Sequence, residues 1–225
     1  MRLPLQIAES LVYLAIALVL NYFAGTFATD NAGNSVTDIL LDHLPVLNVD
    51  FIFIEGALSF WILMAIVCLR APARIPFVVK TLALFVVVRS GFIIMTHLGP
   101  IPKASKVDSN EVIKLVTFGD DYFFSGHTGA PFLMALIFWR DAKLRWLCLI
   151  ASAIFAVSVL LGHLHYSIDV FAAFFISYGI CDMGKALFPR ERTLFEASLQ
   201  GSRKATQDAL RPVAQLRPSS GGAFS

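Results

Sequence analysis

The chain has 225 residues, of which 57% are hydrophobic and only 15% are charged, and its mean hydropathy is +0.71. Soluble domains usually have about a quarter of their residues charged, so this composition predicts an all-α integral membrane protein. The formal net charge of +2 is too small to indicate a nucleic-acid partner, and no run of basic and aromatic residues suggests one.

Apolar stretches recur along the whole chain, and each is long enough, or nearly so, to cross a membrane. A crossing helix needs roughly 20 predominantly apolar residues and satisfies its own backbone hydrogen bonds. The six stretches are residues 7–27, 51–69, 75–97, 122–139, 144–161 and 166–187. The fourth is the weakest, because its uninterrupted apolar part is short. We therefore expect six transmembrane helices.

The basic residues of the short loops predict the orientation. Residues 28–50 contain no Lys or Arg, whereas the connection after the second stretch carries Arg70 and Arg74, and the connection after the fourth carries three basic residues. Short loops rich in Lys and Arg stay on the cytoplasmic side. Both termini are therefore expected to be cytoplasmic, and the first, third and fifth loops are expected to face the exoplasmic side.

The polarity of the chain changes after the sixth stretch. Residues 1–188 are expected to form the transmembrane domain, and the polar residues 189–225 are expected to form a disordered cytoplasmic tail. Cys68, Cys148 and Cys181 fall inside or at the ends of predicted spans, without the spacing of a disulfide framework or a metal site. We expect inert thiols, and neither a metal nor a cofactor.

Two polar stretches, "DDYFFSGHTG" and "GHLHYSIDV", lie next to the fourth and sixth spans. In the predicted topology His127, His165 and Asp169 share the exoplasmic face. Residues four apart lie on one side of a helix, so Asp169 can hydrogen-bond one nitrogen of His165 and make the other more nucleophilic. His163 does not have this spacing. Two histidines and a carboxylate suit phosphoryl transfer through a phosphohistidine, with His127 protonating the leaving oxygen.

A simpler interpretation stays open for these residues: Ser167 or Asp169 caps a helix, and the histidines merely lie at the membrane interface. Arg89, about two turns from the outer end of the third stretch, is harder to explain in this way. An arginine at that depth costs roughly 2.5–3.5 kcal/mol on insertion scales, and such residues are functional candidates. Arg89 either faces inward, to bind a phosphate oxygen or pair with Asp121, or extends to the headgroups.

Together these stretches resemble the sphingomyelin synthase family, a branch of the lipid phosphate phosphatase (PAP2-like) superfamily. "RSGFIIMTHLGP" (89–100), "DYFFSGHT" (121–128) and "HYSIDV" (165–170) are similar to that family's second, third and fourth signatures. Gly99 is an insertion, Ser167 replaces the usual Thr, and Asp120 replaces the usual Gly. The resemblance implies a PAP2-like helical core and a catalytic set of His127, His165 and Asp169. It also implies substrate contacts from Arg89, Asp121, Ser125 and Tyr166.

The resemblance further implies that phosphocholine or phosphoethanolamine passes from a glycerophospholipid to ceramide, releasing diacylglycerol. The reaction would take place at the exoplasmic face of a bacterial inner membrane or of a eukaryotic Golgi or plasma membrane. The parent phosphatases carry an arginine six residues before the histidine, where this chain has Val159. Fewer cations suit a phosphodiester monoanion. Two alternatives remain: a phospholipase C-like or lipid phosphate hydrolase with water as acceptor, and a non-catalytic lipid-binding protein.

Overall fold

The computed structural model describes residues 2–102, 104 and 123–215, with side chains up to residue 202, and this part of the chain is helical without any β-strand. We number its seven α-helices α1 (Leu3–Asp30), α2 (Ala57–Leu69), α3 (Ile75–Met95), α4 (Gly126–Ile137), α5 (Ala142–Leu161), α6 (Ser167–Leu187) and α7 (Pro189–Gln215). A π-helical turn, Ile52–Gly56, continues directly into α2, and a 3-10 turn, Pro72–Arg74, leads into α3.

Among the residues that the structure describes, five segments are long and apolar enough to span a membrane. They are Leu3–Asp30, Ile52–Leu69, Pro72–Met95, Ala142–Leu161 and Ser167–Leu187, and they correspond to five of the six predicted spans. Large apolar side chains such as Phe23, Ile62 and Phe175 are exposed on their outer surfaces. An apolar surface of this extent is typical of a membrane interaction site. The helices therefore support the prediction of an integral membrane protein.

The fourth predicted span, residues 122–139, contains a shorter helix than expected. Helix α4 has only 12 residues, which is about 18 Å against a hydrocarbon core of about 30 Å. It begins directly after Ser125, whose Oγ accepts a hydrogen bond from the Thr128 N–H at 3.4 Å. Most of α4 is buried against α5 and α6. A sixth crossing and the cytoplasmic position of both termini therefore stay predictions.

Small residues allow α4 to pack closely in the centre of the bundle. A Cβ on Gly129 would lie 2.9 Å from the Ser177 Oγ of α6 and 3.1 Å from the Phe85 ring of α3. Pro131 lies inside α4 and supplies no N–H to the helix. The carbonyls of Thr128 and Gly129 accept hydrogen bonds from Ser152 Oγ at 2.8 Å and Ser177 Oγ at 3.1 Å. These contacts fix the first turn of α4.

The tail was expected to be disordered, and that expectation is wrong for Pro189–Gln215, which form α7. Phe195 and Leu199, four residues apart and hence on one helix face, are buried in the main core. Lys80 Nζ lies 2.6 Å from Glu191 Oε1 and 3.0 Å from Glu9 Oε1, so an ionic cluster joins α7 to α3 and α1. The residues of 189–225 are mostly polar, so their overall composition did not indicate this apolar face. Residues 216–225 lie outside the described part of the chain.

Candidate active site

The candidate site lies at one end of the bundle, where α3 ends and both α4 and α6 begin. Arg89 lies on the last two turns of α3, His127 is the second residue of α4, and Asp169 lies in the first turn of α6. The Ser125 N–H donates to the backbone oxygen of Asp169 at 3.1 Å, which ties the start of α4 to the start of α6. The packing thus brings the predicted polar residues to one place.

His165 and Asp169 form the predicted pair. Nδ1 of His165 lies 3.5 Å from Oδ2 of Asp169, and the two residues are 6% and 0% exposed. The same Oδ2 accepts the Tyr166 N–H at 3.0 Å, and the Asp169 N–H donates to the Tyr166 carbonyl at 3.0 Å. Asp169 therefore caps α6, as the simpler interpretation expects, and also faces the imidazole, as the His165–Asp169 spacing predicts. With Nδ1 turned towards the carboxylate, Nε2 is the nitrogen left for chemistry.

The pair contains buried polar atoms that have no hydrogen-bond partner in the described part of the chain. They are Nδ1 of His165 and Oδ1 of Asp169, and Oγ1 of the nearby Thr128 is a third. A buried polar atom without a partner costs about 1–3 kcal/mol, and native structures contain few of them. A small rotation of either side chain would bring Nδ1 within bonding distance of the carboxylate. The site thus holds a histidine and an aspartate close to, but not yet in, a hydrogen bond.

His127 is held between aromatic rings. Its imidazole stacks on Phe53 with 3.9 Å between ring centroids and 19° between planes, and Phe155 approaches edge-on at 6.0 Å. His165 and Arg89 lie close enough to act electrostatically on this imidazole. Phe53 belongs to the π-helical turn, and π-bulges are frequent at functional sites. In the sequence Phe53 was indistinguishable from an interfacial aromatic residue, so its contact with His127 was not predicted.

Arg89 faces into the protein and is only 8% exposed, which argues against extension to the headgroups. Its Nε donates to the Phe124 carbonyl at 3.0 Å, and its Nη1 lies 3.5 Å from Asn21 Oδ1 on α1. Gly126 lies against the guanidinium, since a Cβ there would be 3.5 Å from Nε. A helix N-terminus carries partial positive charge from its free N–H groups. Arg89 and the start of α4 together make this region attractive to an anion.

Three residues were predicted as substrate contacts in addition to Arg89. Ser125 is buried and caps α4. Tyr166 is also buried, and its hydroxyl donates to the Gly99 carbonyl at 2.9 Å while accepting the Val36 N–H at 3.3 Å. Both side chains therefore have structural partners, and their contact with substrate stays a prediction. Asp121 lies outside the described residues.

The loop between α1 and the π-helical turn covers the connection between α5 and α6. Asp38 Oδ2 accepts the Ser167 N–H at 2.6 Å, the Leu47 N–H donates to the Leu161 carbonyl at 2.8 Å, and His163 Nε2 lies 3.3 Å from the Leu44 carbonyl. His163 has a φ of 51° and is turned towards this loop. Sequence reasoning missed Asp38, because 129 residues separate it from Ser167 and no spacing rule connects them.

The charge state of Asp38 is set by this arrangement. Burial acts to raise the pKa of its carboxyl, but hydrogen bonds from Ser167, Leu41 and Leu40 outweigh burial and hold the pKa below its usual range. The Oδ1 atom accepts the N–H groups of Leu40 at 2.9 Å and Leu41 at 3.2 Å. Asp38 is therefore an anion at neutral pH, placed at the N-terminus of α6 where negative charge is favourable.

The PAP2 superfamily C-terminal family model matches residues 119–186, less than half of the chain. This matched range contains His127, His165 and Asp169. The match supports a PAP2-like protein. Members of this superfamily are generally phosphatases or phosphotransferases that act on lipids, so the match supports an enzyme with lipid substrates in a bilayer. No curated protein and no solved structure matches the chain.

The acidic, histidine and cysteine side chains of the described ranges do not converge as a metal site would require: no group of three or more could hold an ion. The three cysteines are free and buried, in agreement with the prediction of unpaired thiols.

Proposed function

We propose that the protein transfers phosphocholine or phosphoethanolamine from a glycerophospholipid to ceramide, through a phosphohistidine on His165. The observation that carries the proposal is the buried His165–Asp169 pair, which lies beside His127 and Arg89 at one end of an apolar helical bundle. The three sequence signatures that resemble those of sphingomyelin synthases contain these same four residues. The PAP2-like match gives the coarser class, lipid phosphatase or phosphotransferase.

In the first step, Nε2 of His165 attacks the phosphorus of the donor lipid while Asp169 orients the ring from the Nδ1 side. A P–N bond forms as the P–O bond to diacylglycerol breaks. The anionic phosphate of the bound donor favours the imidazolium form of His127, which gives a proton to the departing oxygen, and diacylglycerol leaves as a neutral alcohol. Arg89, which lies close enough to His127 to act on it electrostatically, neutralises the phosphoryl oxygens, on which negative charge increases in the transition state.

In the second step, the primary hydroxyl of ceramide attacks the phosphorus of the phosphohistidine. His127, now neutral, takes the hydroxyl proton as a general base, and the P–N bond to His165 breaks. The enzyme returns to its starting protonation state, and the headgroup is now attached to ceramide through a phosphodiester. His127 thus transfers the proton in both steps, His165 carries the headgroup between them, and the protein ends the cycle unchanged.

The charges of the site favour a phosphodiester over a monoester. Val159, at the position where the related phosphatases carry an arginine, is fully buried in an apolar cluster with Phe53, Ala156 and Val170. A valine there cannot neutralise a second phosphate charge, so the cationic groups of the described site are matched to a monoanion. The loops rich in Lys and Arg join the opposite ends of the helices, and such loops stay on the cytoplasmic side. They therefore support an exoplasmic position for the site, in a bacterial inner membrane or a eukaryotic Golgi or plasma membrane.

The products formed in defined liposomes test the proposal. The purified protein is incubated with headgroup-labelled phosphatidylcholine or phosphatidylethanolamine, with and without ceramide, and the lipid products are separated. We expect a labelled sphingolipid and repeated release of diacylglycerol only when ceramide is present; without ceramide, diacylglycerol should not exceed about one molecule per protein, because the reaction stops at the phosphohistidine. A free phosphorylated headgroup formed without ceramide would instead identify the hydrolase alternative. Intact donor in both arms would favour a lipid-binding protein.

A further inference from the structure

We infer that Asp38, supplied by the loop after α1, is a positioning residue for the His165–Asp169 pair. This inference rests on the proposed function and deepens it, because it assigns a role at the same site to a residue outside the three signatures. Asp38 does not contact the reacting atoms. It acts on them through the first turn of α6, which it holds by the Ser167 N–H.

The backbone N–H groups at the start of α6 are divided between two carboxylates. Asp169 Oδ2 accepts the Tyr166 N–H at 3.0 Å, and Asp38 Oδ2 accepts the Ser167 N–H at 2.6 Å. The first N–H groups of a helix have no intrahelical acceptor and require a partner from outside. Without Asp38, the Ser167 N–H would lose this acceptor, and the carboxylate of Asp169, which already accepts the N–H of the adjacent Tyr166, is an acceptor in the same helical turn. Its rotation towards Ser167 would remove it from His165.

The remaining oxygen of Asp169 agrees with this division. Its Oδ1 is buried and has no partner among the described residues, and the same is true of Nδ1 of His165. Nδ1 lies 3.5 Å from the other oxygen of the same carboxylate, so a small movement of either side chain would form a hydrogen bond between His165 and Asp169. Because Asp38 accepts the Ser167 N–H, the carboxylate of Asp169 can bind the His165 imidazole instead.

Asp38 is itself rigidly held. Its other oxygen accepts the N–H groups of Leu40 and Leu41, so the carboxylate cannot turn without breaking three hydrogen bonds. Two residues before it, the Val36 N–H donates to the Tyr166 hydroxyl, which also donates to the Gly99 carbonyl of the next loop. The two residues that follow His165 are thus both fixed by this loop, and the position of the nucleophile is fixed with them.

The experiment compares Asp38→Ala and Asp38→Asn with Asp42→Asn, an exposed aspartate in the same loop, as a matched control. We measure kcat and KM for headgroup transfer in mixed micelles. In the same detergent we record the ¹⁵N resonances of His165, identified by their loss in His165→Gln. Asp38→Ala should lower kcat by at least about tenfold with the KM for the donor within about twofold, since the Ser167 N–H loses its charged acceptor and the loop loses the bonds to Leu40 and Leu41. Its His165 resonances should move, and those of the control should not.

A purely structural role for Asp38 predicts a different result. In that case Asp38→Ala unfolds at a lower temperature, but the folded fraction keeps its kcat and its His165 resonances, and this outcome would overturn the inference. If Asp38→Ala does not fold, Asp38→Asn carries the test, because Asn keeps one acceptor oxygen and should show a smaller change in the same direction. The resonances need no substrate, so they test Asp38 even if the protein fails to transfer a headgroup.

Discussion

At the scale of single residues, the proposed nucleophile depends on the carboxylate of Asp169. In Asp169→Asn the helix cap survives, because Asn also accepts N–H bonds at a helix start, but the amide can stabilise the wrong tautomer of His165. We expect the variant to fold in detergent and to lose at least about a hundredfold in kcat. Turnover is measured in mixed micelles after thermal unfolding has verified folding. Wild-type turnover would remove Asp169 from the catalytic set.

The two histidines of "GHLHYSIDV" make a matched pair of variants. His165→Ala should abolish activity, because the ring beside Asp169 is the nucleophile. His163→Ala should keep most activity, because its Nε2 lies beside the Leu44 carbonyl of the covering loop and away from Asp169. Both activities are compared at equal folded concentration. If His163→Ala is inactive and His165→Ala is active, the assignment of the nucleophile is wrong.

Arg89 provides a third test at this scale. A guanidinium binds a phosphate through a planar pair of N–H groups, which an ammonium cannot reproduce. Its Nε also holds the Phe124 carbonyl. We therefore expect Arg89→Lys to restore only part of the activity that Arg89→Gln loses, in rates measured against donor concentration. Equal rates for wild type and Arg89→Lys would contradict a bidentate phosphate contact.

A structural pair between Arg89 and Asp121 would also make both substitutions harmful. The exchange Arg89→Asp with Asp121→Arg separates the two explanations. Recovered folding without activity in the double variant would assign the pair to the scaffold. Failure of the exchange to restore folding would keep phosphate binding as the proposed role of the buried Arg89.

At the scale of helices, the docking of α7 depends on the ionic cluster of Lys80, Glu9 and Glu191. Burial acts to raise the pKa of Glu191, but the hydrogen bond and charge of Lys80 hold that pKa below its usual range. The contribution of this carboxylate is therefore complete above the pKa of an unfolded Glu. It is lost as the pH falls through the lower pKa of the folded protein.

Lys80→Met should destabilise the protein by about 3–5 kcal/mol, because it leaves two carboxylates facing each other without a cation. Thermal unfolding in detergent measures this loss, and faster proteolysis within α7 should accompany it. Glu196→Gln is the control, since Glu196 pairs on the surface with Arg192 of the same helix and such pairs contribute about 0–1 kcal/mol. Equal effects of the two variants would contradict a role for the cluster in holding α7.

The sequence predicted some of the helices and not others. Five spans could be predicted, because their apolar length is a property of consecutive residues. The short α4 could not, since Ser125 begins it and neighbouring helices bury it. Helix α7 was missed because Phe195 and Leu199 lie in a mostly polar segment, and the burial of Phe195 depends on the rings of Phe77 and Phe138, which are distant in the sequence.

At the scale of the whole molecule, the motifs predicted which polar residues lie together but not the contacts that support them. The convergence of His127, His165, Asp169 and Arg89 could be predicted from their residue types and their positions at the ends of the apolar stretches. Asp38, Phe53 and Asn21 could not, because their contacts depend on how distant segments pack. The residues of the proposed site therefore come from short sequence motifs, and contacts with distant segments hold them in position.

The most direct measurement of the central claim is a search for the covalent intermediate. The protein is incubated with headgroup-labelled phosphatidylcholine or phosphatidylethanolamine in the absence of ceramide, then denatured in base, in which a P–N bond survives. We predict an acid-labile label on wild type and on His163→Ala, none on His165→Ala, and its transfer to lipid when ceramide is added before denaturation. Formation of the labelled sphingolipid by a protein that never carries the label, or a label that persists in His165→Ala, would contradict a phosphohistidine at His165.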